Sequence, residues 1–184
     1  MACLNFVLGD RQETPVKTPL GQQIKDVSRN EKLWLLCLFY FLTFGSFVAF
    51  TVYLPNFLVS HFQLTKVDAG MRTAGFIVLA TAMRPVGGWL GDRFNPFKIL
   101  MLVFAGMTVA AVLLSFSPSM HLYTVGCLTV ALCAGIGNGT IFKLVPLYFT
   151  KQAGIANGMI SAMGGLGGFF TPLILTTLYS MTGH

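Results

Sequence analysis

The 184-residue sequence predicts an all-α integral membrane protein with about five transmembrane helices. Three observations carry that expectation. Hydrophobic residues make up 54% of the chain and charged residues only 10%, against about 25% charged in ordinary soluble domains. Five apolar stretches, over about 33–59, 70–91, 97–117, 121–149 and 153–181, each approach or exceed the roughly 20 residues that cross a bilayer as a helix. The charges are concentrated before and between these stretches, and the basic ones alternate from break to break as the positive-inside rule requires.

The elements follow in order. Residues 1–32 are polar and hold Pro15, Pro19 and the basic residues Arg11, Lys17, Lys25, Arg29 and Lys32. They read as a cytoplasmic linker with at most a short amphipathic helix over 20–27, preceding a half-bundle over 33–184. Residues 1–8 are too short an apolar region for a cleavable leader, and Asp10, Arg11 and Glu13 follow directly. The first span is aromatic: Tyr40, Phe44 and Phe47 fall on one helical face by their spacing. The second carries Arg84. The third is plainly apolar. The fourth and fifth are rich in glycine. The breaks at 60–69, 92–96, 118–120 and 150–152 set the topology. With the basic N-terminal segment inside, Arg93 and Lys98 fall in one inner loop and Lys151 in the next, while the outer loops carry only Lys66 and the C-terminus lies outside.

Composition also excludes function classes. The net charge of +6 follows from the inner loops and the N-terminal segment, so it does not imply a nucleic-acid partner. Cys3, Cys37, Cys127 and Cys133 have neither metal-ligand nor disulfide spacing, and three lie in apolar runs, where cysteine packs as a small apolar residue. His61, His121 and His184 fall in outer loops or at the terminus. No Ser/His/Asp, metal-spaced or nucleotide-binding constellation occurs in the spans, so neither an enzyme nor a cofactor is expected.

The charges inside the spans are the informative ones. All six acidic residues lie outside the apolar runs or at their ends, whereas Arg84 and Lys143 lie within them. An ionised side chain near mid-membrane costs roughly 2.5–3.5 kcal/mol on insertion scales and faces a bundle interior or a water-filled path. Arg84, with no carboxylate near it in sequence, therefore calls for an anion from solution. Lys143 lies near the inner end of its span, where its stem reaches the interface; a part in anion attraction or gating stays open for it. Arg72 reads as interfacial.

Three motifs surround these charges. The first is Arg84-Pro-Val-Gly87-Gly88-Trp-Leu-Gly91-Asp92-Arg93-Phe, a span running into a short Gly–Asp–Arg–Phe loop. Its glycines permit close helix approach, and Asp92 and Arg93 can pair with neighbouring helix ends and release them during a conformational change. The second is Gly135-Ile-Gly137-Asn138-Gly139-Thr-Ile-Phe142-Lys143-Leu-Val-Pro146. The third is Gly154-Ile-Ala-Asn157-Gly158, followed by Ser161-Ala-Met-Gly164-Gly165-Leu-Gly167-Gly168-Phe-Phe-Thr-Pro172. The pairs Gly135/Gly139, Gly154/Gly158 and Gly164/Gly168 each give a face that a neighbouring helix can approach closely. Four glycines in five residues at 164–168 exceed what packing ordinarily needs, and expose backbone edges to a small planar ligand.

Together these segments resemble the nitrate/nitrite porter family of the major facilitator superfamily, over nearly the whole chain from about Leu33. The resemblance places the five spans as the seventh to eleventh of a twelve-span bacterial cell-membrane transporter, in its C-terminal half. It implies that one arginine from each half clamps a planar anion, with Arg84 as the second-half member. It also implies that Tyr40 hydrogen-bonds the substrate or Arg84, and that Phe44 stacks on the plane of the anion. The expected substrate-binding set is thus Arg84, Tyr40, Phe44, Gly164, Gly165, Gly167 and Gly168. Gly88, Gly91, Asp92 and Arg93 form the conformational loop motif, and Asn138 and Lys143 are accessory candidates.

The function that follows is secondary transport of nitrate and/or nitrite by alternating access, with an N-terminal six-span half expected as partner. With no acidic residue or histidine buried in the spans, exchange of the two anions is favoured over proton symport. Transport of another small anion, and a truncated fragment without transport activity, are the alternatives.

Overall fold

The computed structural model describes residues 19–116 and 119–182. The linker before residue 19, Cys3, the outer break at 117–118 and the C-terminal Gly183-His184 lie outside the described residues. Among the described residues there are six α-helices: α1 (Leu20–Ser28), α2 (Glu31–Phe62), α3 (Lys66–Arg93), α4 (Pro96–Ser115), α5 (Met120–Tyr148) and α6 (Ala153–Thr182).

Local chemistry sets where these helices begin. Asn30 caps α2 by accepting a hydrogen bond from the Lys32 backbone N–H, and Asn95 does the same for Phe97, with Pro96 opening α4. Thr65 caps α3 reciprocally: it accepts from the Asp68 N–H at 3.1 Å, while its hydroxyl donates to the Asp68 carboxylate at 2.6 Å. At its outer end α2 stops in the left-handed conformation of Gln63 (φ 52°). The short helix α1 is amphipathic, with Gln23 and Val27 buried.

Four helices are long and apolar enough to cross a membrane: α2, α4, α5 and α6, the last over Ala153–Leu178. At 28 residues α3 is long enough, about 42 Å at 1.5 Å per residue, but its composition is too polar to count by hydropathy. The reason is the cargo of Arg72 and Arg84 together with five glycines. Such a helix is stable in a bilayer only with protein on its polar side.

The packing supplies that protein. The long helices associate as two extensive pairs, α2 with α6 and α3 with α5. α4 lies on α5, and α2 also meets α3 and α5. Over its most apolar stretch α5 is 56% buried against 17% for both α4 and α6, so α5 is the central helix and α4 and α6 lie at the edges. Two apolar clusters form. One, toward the inner end, gathers Leu33, Leu36, Tyr40, Leu100, Ile141, Leu144 and Ile160; the other, toward the outer end, gathers Leu54, Leu58, Phe76, Ala80, Tyr123 and Val130. Thr43, Asn138 and Thr140 are buried but belong to neither. A polar layer therefore runs across the middle of the bundle.

Glycine decides how closely the pairs approach. A Cβ on Gly135 would strike the Ala80 carbonyl, one on Gly139 the Arg84 carbonyl, and one on Gly87 the Ile136 carbonyl. Thr140 then donates to the Gly87 carbonyl at 3.1 Å. On the other pair, Gly167 meets the Phe41 carbonyl and Gly168 the Val48 side chain, while the Tyr53 hydroxyl bonds Thr176 near the outer end. Two of the three expected glycine pairs thus face a helix. Gly154 and Gly158 face open space, because no described helix lies on that side of α6.

Candidate anion site

The polar layer is built around Arg84. Its guanidinium carbon lies 5.9 Å from the Phe44 ring centroid and 5.5 Å from that of Phe47, inside the range of cation–π attraction. The Nε atom is buried and has no hydrogen-bond partner. Among the described residues the ion pair present, Lys143 with Asp92, does not involve Arg84. Burying a charge without a counter-charge is costly, and a buried N–H without an acceptor adds to the cost. Among the described residues, no carboxylate forms an ion pair with Arg84.

The wall beside Arg84 is aromatic. The Tyr40 ring stacks on Phe44 (5.3 Å between centroids, 17° between planes) and receives Phe142 of α5 edge-on (4.9 Å, 71°). Phe44 and Phe47 follow at 6.0 Å, and Phe47 stacks on Phe76 of α3. Tyr40 and Arg84 both flank Phe44, the tyrosine stacked on its ring and the guanidinium 5.9 Å from its centroid. No hydrogen bond joins the two, so the tyrosine hydroxyl remains available to a ligand.

Asn138 and Thr43 make the second polar feature. The Thr43 hydroxyl donates to Asn138 Oδ1 at 2.7 Å across the α2–α5 interface. With Oδ1 committed as acceptor, Asn138 Nδ2 must act as donor, and it is buried without a partner. Asn138 adjoins Gly139, which packs on the Arg84 backbone, and Thr43 adjoins Phe44. Two unsatisfied donors, one charged and one neutral, therefore occupy the same α2–α3–α5 junction.

The glycines of α6 take distinct places. Gly164 is buried against Tyr40, where a Cβ would strike ring atoms Cδ1 and Cε1. Gly167 and Gly168 pack on α2, and Gly165 is exposed with nothing near it. Within the described residues, then, three of these four glycines make room for α2, and Gly164 alone of them bears on a site side chain.

The loop motif lies apart. Arg84 and Asp92 are eight residues apart on α3, about 12 Å along the axis. Asp92 pairs with Lys143 Nζ at 2.5 Å, and the Lys143 stem packs beside Gly91. Arg93 lies over the Trp89 ring at 5.0 Å, and Gly88 faces open space. The structure therefore brings Lys143 to the loop motif as an ion-pair partner.

Sequence reading placed Phe47 on the aromatic face without naming it a binding residue, and missed Phe142 as a site wall and Thr43 as the partner of Asn138. Phe47 was legible from its helical spacing; Phe142 and Thr43 become neighbours of the site only through the α2–α5 packing. Among the described residues, no three of His, Cys, Asp and Glu gather as a metal site would need. The arrangement that remains is a half-buried cation with a shielded Nε, a buried amide donor and flat aromatic walls. Its chemistry is charge-assisted hydrogen bonding to a small, flat anion.

Comparison with known proteins gives the family. The sequence pattern of the Major Facilitator Superfamily matches residues 2–172. The chain is 63% identical over 183 residues to a protein named "Nitrite extrusion protein" from Bacillus subtilis (strain 168), covering 100% of this chain and 46% of that one. It is 57% identical over 182 residues to the "Probable nitrate transporter NarT" of Staphylococcus epidermidis, covering 99% and 47% respectively. The protein of the same name from Staphylococcus haemolyticus is 56% identical over 182 residues. The chain spans about half the length of these relatives.

Proposed function

The chain belongs to the major facilitator superfamily, and from that membership we propose that it supplies the second half of the anion site in a nitrate/nitrite transporter of the cytoplasmic membrane. The observation that carries the reading is Arg84: a cation with its Nε buried and unpartnered, set against Phe44 and Phe47. A planar oxyanion accepts two parallel N–H bonds from a guanidinium, which a spherical anion cannot do. The relatives' names, one for nitrite extrusion and two for nitrate transport, point to the same substrate class.

In this mechanism Arg84 grips two oxygens of the anion while the Tyr40 hydroxyl and the Phe44 ring bound the slot. Gly164 lets Tyr40 lie close to α6, which keeps the slot small enough for a ligand of three or four atoms. A first six-span half supplies the opposing arginine, and the two halves rock about the site to expose it alternately to each side. The bound anion compensates part of the arginines' charge, so the empty carrier is the costlier species and anion-for-anion exchange is the favoured cycle. The buried polar residues described here are Gln23, Thr43, Thr73, Asn138 and Thr140, none of which is a carboxylate or a histidine.

The test is flux into proteoliposomes holding this chain with a co-expressed first half. Nitrate uptake that requires internal nitrite or nitrate, and that falls with Arg84→Lys by about 10- to 100-fold, is the expected result. Absence of nitrate or nitrite flux with a competent first half present would overturn the substrate.

A further inference from the structure

Away from the Arg84 site, a groove lies between α3 and α4. The two helices are joined only by Phe94 and Asn95, yet each packs chiefly on α5 and scarcely on the other. They diverge and leave a groove of about 550 Å³. Leu90, Leu102, Val103 and Ile136 line it with apolar side chains, and Arg93 and Lys98 line it from the inner ends of α3 and α4. No carboxylate lines it, and the nearby Asp92 is engaged by Lys143.

Two further observations say what covers it. The groove opens on an uncovered side of the bundle, since Leu102 is 77% exposed and only 17% of the most apolar stretch of α4 is buried, the same share as in α6. Trp89, 54% exposed beneath the Arg93 guanidinium, is of the residue type enriched at membrane–water interfaces. The occupant must therefore be apolar along its body, anionic at one end, and already present in the inner leaflet.

We propose that this groove binds one anionic glycerophospholipid, with its headgroup phosphate held by Arg93 and Lys98 and an acyl chain lying along Leu90, Leu102 and Ile136. Basic pockets between helices on the inner side of a membrane have this charge logic, each cation near the surface adding to the attraction for acidic headgroups. The proposal is independent of the transport reading. It assigns to Arg93 a role in lipid contact that its place in the loop motif does not require.

Trp89 provides the test, because the chain has only two tryptophans. In a Trp34→Phe background of the full chain, Trp89 emission is titrated with brominated phosphatidylglycerol, phosphatidylethanolamine or phosphatidylcholine in mixed vesicles. The expected result is a preference for phosphatidylglycerol over phosphatidylcholine of roughly 30-fold, the order that two interfacial cations supply. Arg93→Gln with Lys98→Gln abolishes the preference, and Lys25→Gln with Arg29→Gln, on the other inner basic segment, leaves it. Cys133→Phe, which fills the groove but keeps its charges, also removes it. Equal quenching by all three lipids, a preference for phosphatidylethanolamine, or a preference that survives Arg93→Gln/Lys98→Gln would overturn the proposal. So would loss of the preference in Lys25→Gln/Arg29→Gln, since that would reflect surface charge alone. Quenching that declines as the protein-to-lipid ratio rises would assign the groove to a second copy of the chain and overturn it too.

Discussion

Arg84 and Asn138 are both donors without acceptors, but they differ in what substitution should reveal. Lysine at 84 keeps the charge and loses the planar fork, so Arg84→Lys separates recognition of shape from simple attraction. Asn138 is held by Thr43, and the pair allows a cleaner stability measurement. Thr43→Val leaves Asn138 Oδ1 buried without its donor, which should cost about 1–3 kcal/mol. Adding Asn138→Leu removes both partners and should recover part of that loss. Unfolding in detergent, read as a double-mutant cycle, checks this; additive losses would mean the 2.7 Å bond contributes nothing. Gly164 gives the third residue-scale prediction. Gly164→Ala pushes a methyl into the Tyr40 ring and should weaken nitrate affinity, whereas Gly165→Ala, in open space, should leave it unchanged. Competition binding on the assembled two-half transporter distinguishes them.

Among the elements, the α3–α5 pair is the one on which the site depends. Its backbones approach so closely that Gly87, Gly135 and Gly139 have no room for a Cβ. Gly139→Ala must push α5 off the Arg84 carbonyl, and an overpacking cost of about 1–3 kcal/mol is expected. Gly154→Ala, on the open face of α6, should be neutral or slightly stabilising through helix propensity. Thermal unfolding of the two variants side by side tests the assignment of faces; equal effects would refute it. The same close approach accounts for the polarity of α3. A helix carrying Arg84 needs a neighbour that shields it from lipid, and small residues let α5 do so at backbone distance. Hydropathy marks α2, α4, α5 and α6 as spans and not α3, because the helix holding the charge is the one built to be covered.

Across the whole molecule, Asp92 and Lys143 tie the inner ends of α3 and α5. Their side chains are 53% and 38% exposed respectively, so the pair should add little to stability, within the roughly 0–1 kcal/mol typical of exposed pairs. Its expected effect is on exchange kinetics: Asp92→Asn should alter the rate of anion exchange while the unfolding midpoint stays nearly constant. A large drop in midpoint with normal exchange would instead make the pair a structural brace. The open glycine faces of α6 and the half-length match to the relatives set the last expectation. This chain reconstituted alone should show no nitrate or nitrite flux, and adding the first half should restore it.

The sequence by itself determined the long helices and their rough limits, because length and apolarity are local properties and the caps at Asn30, Thr65 and Asn95 are set within a few residues. It also determined Arg84, since an uncompensated charge in an apolar run is visible without any fold. Tertiary structure alone decided which faces meet. The Thr43–Asn138 bond joins residues 95 apart, and nothing in a glycine-rich run says that Gly164 bears on Tyr40 while Gly165 faces away. Lys143 could be read as interfacial from its position, but its Asp92 partner comes from another helix. The physical reason is common to all three cases. Helix formation in a bilayer is driven by each segment's own backbone satisfaction and apolar surface. Contacts between helices depend on where small residues let two backbones approach, which the register of both helices decides together.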